Sequence, residues 1–109
     1  MPENIFDIQG KVVVLTGGSR GLGAAFAKKL AENGAKVAVL DIEEVRGTAV
    51  VAEIKAKGQE AIFVRTNIVH KDEVQAAAKK IIAEYGRVDV LINNATAMSR
   101  SSILDMDEK

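Results

Sequence analysis

The sequence predicts an α/β fold built on a parallel sheet with helices on both faces. Three observations carry this. Four short apolar runs alternate with three stretches of helical periodicity. The runs are continuously apolar rather than alternating, as expected of strands buried on both sides. A glycine-rich segment, Thr16-Gly17-Gly18-Ser19-Arg20-Gly21-Leu22-Gly23, stands at the first passage from strand to helix.

Residues 1–9 form a leader, in which Ile5, Phe6 and Ile8 are placed to pack against the rest. Gly10 and Lys11 open the first strand, 12–16. The first helix is expected over about 20–33. Leu22, Ala25, Phe26 and Leu30 make its apolar stripe, and Gly34 is its stop. The run 36–40, ending at Asp41, reads as a second buried strand. A second helix follows over about 44–57, stopped by Gly58. Val45, Ala49, Ala52 and Ala56 fit one face of it, while Val51 and Ile54 blur the pattern. Residues 61–65 read as the third strand. The clearest helix is 71–85, with Val74, Ala77, Ala78, Ile81 and Tyr85 on one stripe and Asp72 and Glu73 at its positive end. Gly86 stops it, and 88–92 is the fourth strand, running into Asn93-Asn94-Ala95.

Such alternation implies right-handed crossovers between parallel strands. In the Rossmann order the strands lie 3-2-1-4, and a crevice opens at the carboxyl ends of strands 1 and 4, where the order reverses. The glycine segment and Asn93-Asn94-Ala95-Thr96 fall at those two ends.

A strand-to-helix junction rich in glycine is a phosphate-binding device. Unpaired N–H groups and partial positive charge gather at a helix start. Glycines let the backbone turn tightly and let a ligand come close. An ordinary tight turn is the plain alternative. The spacing excludes a Walker loop, because Gly23 is followed by Ala24 rather than Lys. It also departs from G-x-G-x-x-G, whose third glycine would fall on Phe26.

What stands here resembles the T-G-x-x-x-G-x-G motif of the classical short-chain dehydrogenases/reductases. Asp41 at the end of the second strand, Asn67-Ile68 after the third and Asn93-Asn94-Ala95 after the fourth extend the resemblance over nearly the whole chain. It implies a dinucleotide site. Gly17, Ser19, Arg20, Gly21, Leu22 and Gly23 would meet the pyrophosphate and ribose, and Asp41 and Ile42 the adenosine ribose. Asn67 and Ile68 would lie at the adenine, and Asn94, Ala95 and Thr96 would border the cofactor. Two positions depart from the family pattern: Asn67 where Asp is usual, and Thr96 where the family keeps a bare glycine.

A carboxylate at Asp41 can accept both ribose hydroxyls and repels a 2′-phosphate. Two unit charges about 4 Å apart are worth roughly 4 kcal/mol at an effective dielectric near 20, as an upper guide. NAD is therefore expected over NADP. Arg20 argues mildly for NADP, since a basic residue before the second glycine often faces the 2′-phosphate in this family. A helix cap or turn is the plain role for Asp41, and a strand-end turn for Asn67.

The resemblance implies an alcohol–ketone oxidoreductase. It matches the first part of the family's catalytic domain. Residues 1–109 are thus expected to be one partial domain, the adenosine half, inactive alone because the family's Ser and Tyr-x-x-x-Lys come later. A small alcohol or ketone would be a partner only with that half supplied. The alternative is a non-catalytic nucleotide-binding module or an assembly unit. Strand 4, left as an edge, is expected to pair copies into a homo-oligomer.

Tyr85 is followed by Asp89 four residues on, not Lys, and reads as core. His70, the one histidine, reads as a surface cap. Ser99, Ser101 and Ser102 have no base placed near them, which argues against a hydrolase. Formal net charge is zero, which gives no reason to expect nucleic acid or an anionic membrane. There is no cysteine for a disulfide or thiolate metal site, which fits a cytoplasmic setting. With 48% hydrophobic and 28% charged residues, the composition is that of a globular domain.

Overall fold

In the computed structural model, residues 8–17, 19 and 21–94 are described. Strand and helix alternate in the order β1 (Val12–Thr16), α1 (Gly21–Glu32), β2 (Lys36–Asp41), α2 (Glu44–Ala56), β3 (Ala61–Arg65), α3 (Lys71–Tyr85) and β4 (Val90–Asn93). All neighbouring strands pair in parallel, in the order β3-β2-β1-β4. Thr16, the last residue of β1, is opposite Leu40 of β2 on one side and Asn93 of β4 on the other.

Successive side chains of a strand point to opposite faces. Val13, Leu15, Val37 and Val39 therefore join one core with α1 and α2, and Val12, Val14, Ala38 and Leu40 join a second with Ala77 and Ile81 of α3. Both faces are covered, so every residue of β1 is buried. This is why the first two strands read as unbroken apolar runs.

Two helix faces differ from expectation. In α1 the buried residues are Gly23, Ala27, Leu30 and Ala31. Leu22, Ala25 and Phe26, expected to line the core, are exposed. The helix is rotated because Gly23 is drawn against the end of β1, which turns the neighbouring small residues onto the sheet. In α2 the core face is Gly47, Val50, Val51 and Ile54, so Val51 and Ile54, which blur the pattern in the sequence, are core, while Val45, Ala49, Ala52 and Ala56 are exposed. Val45 is 83% exposed. A Cβ on Gly47 would overlap the ring of Phe63, so the bare backbone lets α2 settle on β3. In α3 the expected stripe holds through Ala77 and Ile81, with Val74 at its exposed margin.

β4 begins two residues later than expected and includes Asn93. Among the described residues it is the edge next to β1, and Val90 and Leu91 are exposed. No helix among the described residues is long and apolar enough to cross a membrane.

Candidate functional site

Because all strands are parallel, their carboxyl ends share one rim, where those of the expected site residues that are described gather. The N–H of Gly17 donates to the Leu40 carbonyl at 2.8 Å, one rung beyond the end of β1. Gly17 (φ +69°) and Gly21 (φ +59°) then take left-handed conformations that carry the chain out of the sheet and into α1. Gly23 lies in the first turn of α1. A Cβ there would overlap the Gly17 carbonyl oxygen and stand 2.6 Å from the Asn94 amide nitrogen. The start of α1 is thereby seated on the ends of β1 and β4. Its first turn carries no acidic residue, so nothing on the helix itself offsets its positive end.

A second set of bonds closes this seat from β4. The Thr16 hydroxyl donates to the Asn93 side-chain oxygen at 2.8 Å and accepts the Asn94 backbone N–H at 3.0 Å. The Asn94 side-chain amide donates to the Gly17 carbonyl at 3.3 Å. Asn94 thus steadies the glycine turn.

Asp41 ends β2 on the other side of the turn and is half-buried. Its Oδ2 accepts the Ser19 hydroxyl at 2.5 Å and the Ser19 backbone N–H at 3.3 Å. Its Oδ1 accepts the Glu43 backbone N–H at 3.1 Å, so the residue also serves as a turn former. Ser19 is buried, and Ile42 beside the carboxylate is half-exposed. Leu22 projects its apolar side chain into solvent at the same rim.

Asn67 and Ile68 lie just past the end of β3. The Asn67 N–H donates to the Glu73 carboxylate at 2.8 Å, and its side-chain oxygen accepts the Val69 N–H at 3.1 Å. This is the strand-end turn, and it occupies one acceptor position of the amide oxygen that adenine would use. Arg20, Ala95 and Thr96, and the serines at 99, 101 and 102, lie outside the described residues.

Tyr85 is elsewhere. Lys36, the first residue of β2, stands 5.6 Å from its ring centroid, which places it at the opposite rim. Its hydroxyl is buried with no hydrogen-bond partner among the described residues. Burial, with Glu60 and Glu84 adding to it, pushes that hydroxyl up to about 12. His70 occupies the N-cap position of α3 without a side-chain capping bond. Among the described residues, no cluster of His, Cys, Asp or Glu is arranged to hold a metal.

Two features are absent from the sequence reading: the Ser19–Asp41 bond and the Thr16 relay. A hydroxyl residue at a strand end or in a glycine turn is the one signal for either, and it names no partner until the register is known.

The family model described as short chain dehydrogenase matches residues 11–109. An uncharacterized oxidoreductase of Thermotoga maritima is 41% identical over 98 residues, which are 90% of this chain and 38% of that protein. A metagenomic short-chain oxidoreductase in complex with NADP superposes with a TM-score of 0.76 at 37% identity, over 88% of this chain and 48% of that one. A short-chain dehydrogenase/reductase from Burkholderia phymatum in complex with NAD gives a TM-score of 0.76 at 38% identity, over 80% of this chain and 31% of that one. The chain spans about two fifths of the length of the curated relatives it matches. With its strand order, glycine turn and family match in agreement, the chain belongs to the short-chain dehydrogenase family.

Proposed function

We propose that the rim formed by the ends of β1, β2 and β4 binds the adenosine and pyrophosphate side of NAD, in a protein that moves hydride between an alcohol and a ketone. The observation that carries this reading is the half-buried Asp41 carboxylate at the end of β2, bonded to the glycine turn. The residues fit the cofactor. Gly17 and Gly21 keep the backbone bare where a pyrophosphate would approach α1, whose first turn is free of acidic side chains, and Gly23 seats that helix start on the turn. Asp41 offers an acceptor to a ribose diol, with Ile42 beside it. Asn67 and Ile68 border the adenine side, and Asn94 braces the turn. Arg20, Ala95 and Thr96 complete the set on sequence grounds. The nicotinamide ring, when bound, supplies the hydride acceptor.

NAD is the preferred form in this reading. Related structures hold NAD in one case and NADP in another, so the preference rests on Asp41 alone. No Tyr-x-x-x-Lys occurs in the 109 residues. These residues taken together form one nucleotide-binding unit that holds the cofactor without turning substrate over. The exposed Val90 and Leu91 on the β4 edge pair copies of the chain, which sedimentation velocity would register as a concentration-dependent dimer. A monodisperse monomer would contradict that pairing.

Calorimetric titration tests the main reading. NAD binds saturably, NADP binds more weakly, and Asp41→Ala removes the difference. A folded chain that binds neither dinucleotide contradicts it.

A further inference from the structure

We propose that Ser19 is a positioning residue that sets cofactor choice by holding the Asp41 carboxylate in place. The inference rests on the reading that Asp41 faces the adenosine ribose.

An aspartate side chain can turn away from an unwelcome anion by rotation about one bond. Asp41 is not free to do so. Both its oxygens are engaged by its own chain: Oδ2 by the hydroxyl and the N–H of Ser19, and Oδ1 by the N–H of Glu43. At 2.5 Å, the hydroxyl contact has the length of a charge-assisted O–H···O⁻ bond, the strongest class of these. Ser19 is itself only 4% exposed, so water does not readily replace it. A carboxylate has about four lone-pair positions. Three are taken, so an acceptor remains for a ribose hydroxyl while the negative charge stays fixed.

A fixed charge discriminates; a mobile one yields. With Ser19 in place, a 2′-phosphate meets a carboxylate that cannot swing aside without breaking its bonds. Without the Ser19 hydroxyl, the carboxylate is held by two backbone N–H groups, one of them at 3.3 Å. It then turns outward when NADP arrives and loses alignment when NAD arrives. Both effects shrink the preference.

The test is the ratio of dissociation constants, NADP over NAD, in the full chain. Ser19→Ala lowers that ratio roughly tenfold, the worth of about one hydrogen bond to a charged group. Ser19→Cys, similar in size and weak as a donor, does the same and keeps the test open if the alanine variant does not fold. Ser19→Thr keeps the hydroxyl and retains the preference. In an Asp41→Ala background, Ser19→Ala leaves the ratio unchanged. A purely structural role would weaken both dinucleotides together and leave the ratio as it is. A preference that Ser19→Ala and Ser19→Cys retain in full overturns the proposal alone. A wild-type chain with no preference for NAD overturns the Asp41 reading and the proposal with it.

Discussion

Asn94 donates its side-chain amide to the carbonyl oxygen of Gly17 across 77 residues of sequence. This bond ties the end of β4 to the turn that leaves β1. Gly23 completes the contact, since it lies against both partners with no room for a side chain. The glycine turn is therefore held from three directions: by Asn94, by the α1 backbone and, through Ser19, by Asp41.

Gly23→Ala tests that crowding. The new methyl would overlap the Gly17 carbonyl, which is backbone and cannot swing aside, and would press on the Asn94 side-chain amide that is bonded to it. Overpacking of this kind costs about 1–3 kcal/mol. Urea unfolding is expected to show the loss, and dinucleotide titration a weaker site.

Thr16→Val tests the relay at the strand ends. Valine keeps the shape but leaves the Asn93 side-chain oxygen and the Asn94 N–H without the hydroxyl they share. Losing such bonds costs about 0.5–1.5 kcal/mol, since water reaches the exposed Asn93 side chain. The midpoint of urea unfolding should fall with an unchanged slope.

The face that α2 presents to the sheet is read by a pair of variants. Ile54 is 1% exposed in the core with Val39 and Leu15, so Ile54→Ala is expected to cost about 2–5 kcal/mol. Val45 stands in solvent, and Val45→Ala should stay within about 0.5 kcal/mol. Equal losses at the two positions would place the helix differently.

Tyr85 gives a pH dependence. Its hydroxyl is raised by burial from the usual 10.0 to about 12 in the folded chain. The unfolded chain therefore releases this proton first. The contribution to stability is present in full below pH 10.0 and is lost as pH rises through about 12. Tyr85 is the one tyrosine, so absorbance at alkaline pH reports it directly. Tyr85→Phe should remove that part of the alkaline loss and spare the fold, since the buried hydroxyl has no partner among the described residues.

β1 and β2 are legible in the sequence because burial on both faces leaves unbroken apolar runs, and the order of the strands is legible because connections of this length permit few topologies. The site's location follows from that order, which brings Gly17 and Asn94 together whatever the family. The faces of α1 and α2 are not legible. Alanine is spread around both helices, and the rotation is fixed by two close approaches, Gly23 on Gly17 and Gly47 on Phe63. Periodicity cannot see either. The Ser19–Asp41 bond is hidden for a related reason. It depends on the register that sets Thr16 beside Leu40, so that the turn after β1 folds back over the end of β2. Asn67 shows the converse. Its turn chemistry is visible in the sequence, and its side chain makes that turn.

A dinucleotide held at one rim of the sheet perturbs the backbone amides of that rim. Amide NMR of the isotopically labelled chain titrated with NAD reads this residue by residue. Shifts are expected to concentrate at Gly17, Ser19, Gly21, Leu22, Gly23, Asp41, Ile42 and Asn94, with the opposite rim around Lys36 and Tyr85 unmoved. Shifts centred on that opposite rim, or none at saturating NAD in a folded chain, would contradict it.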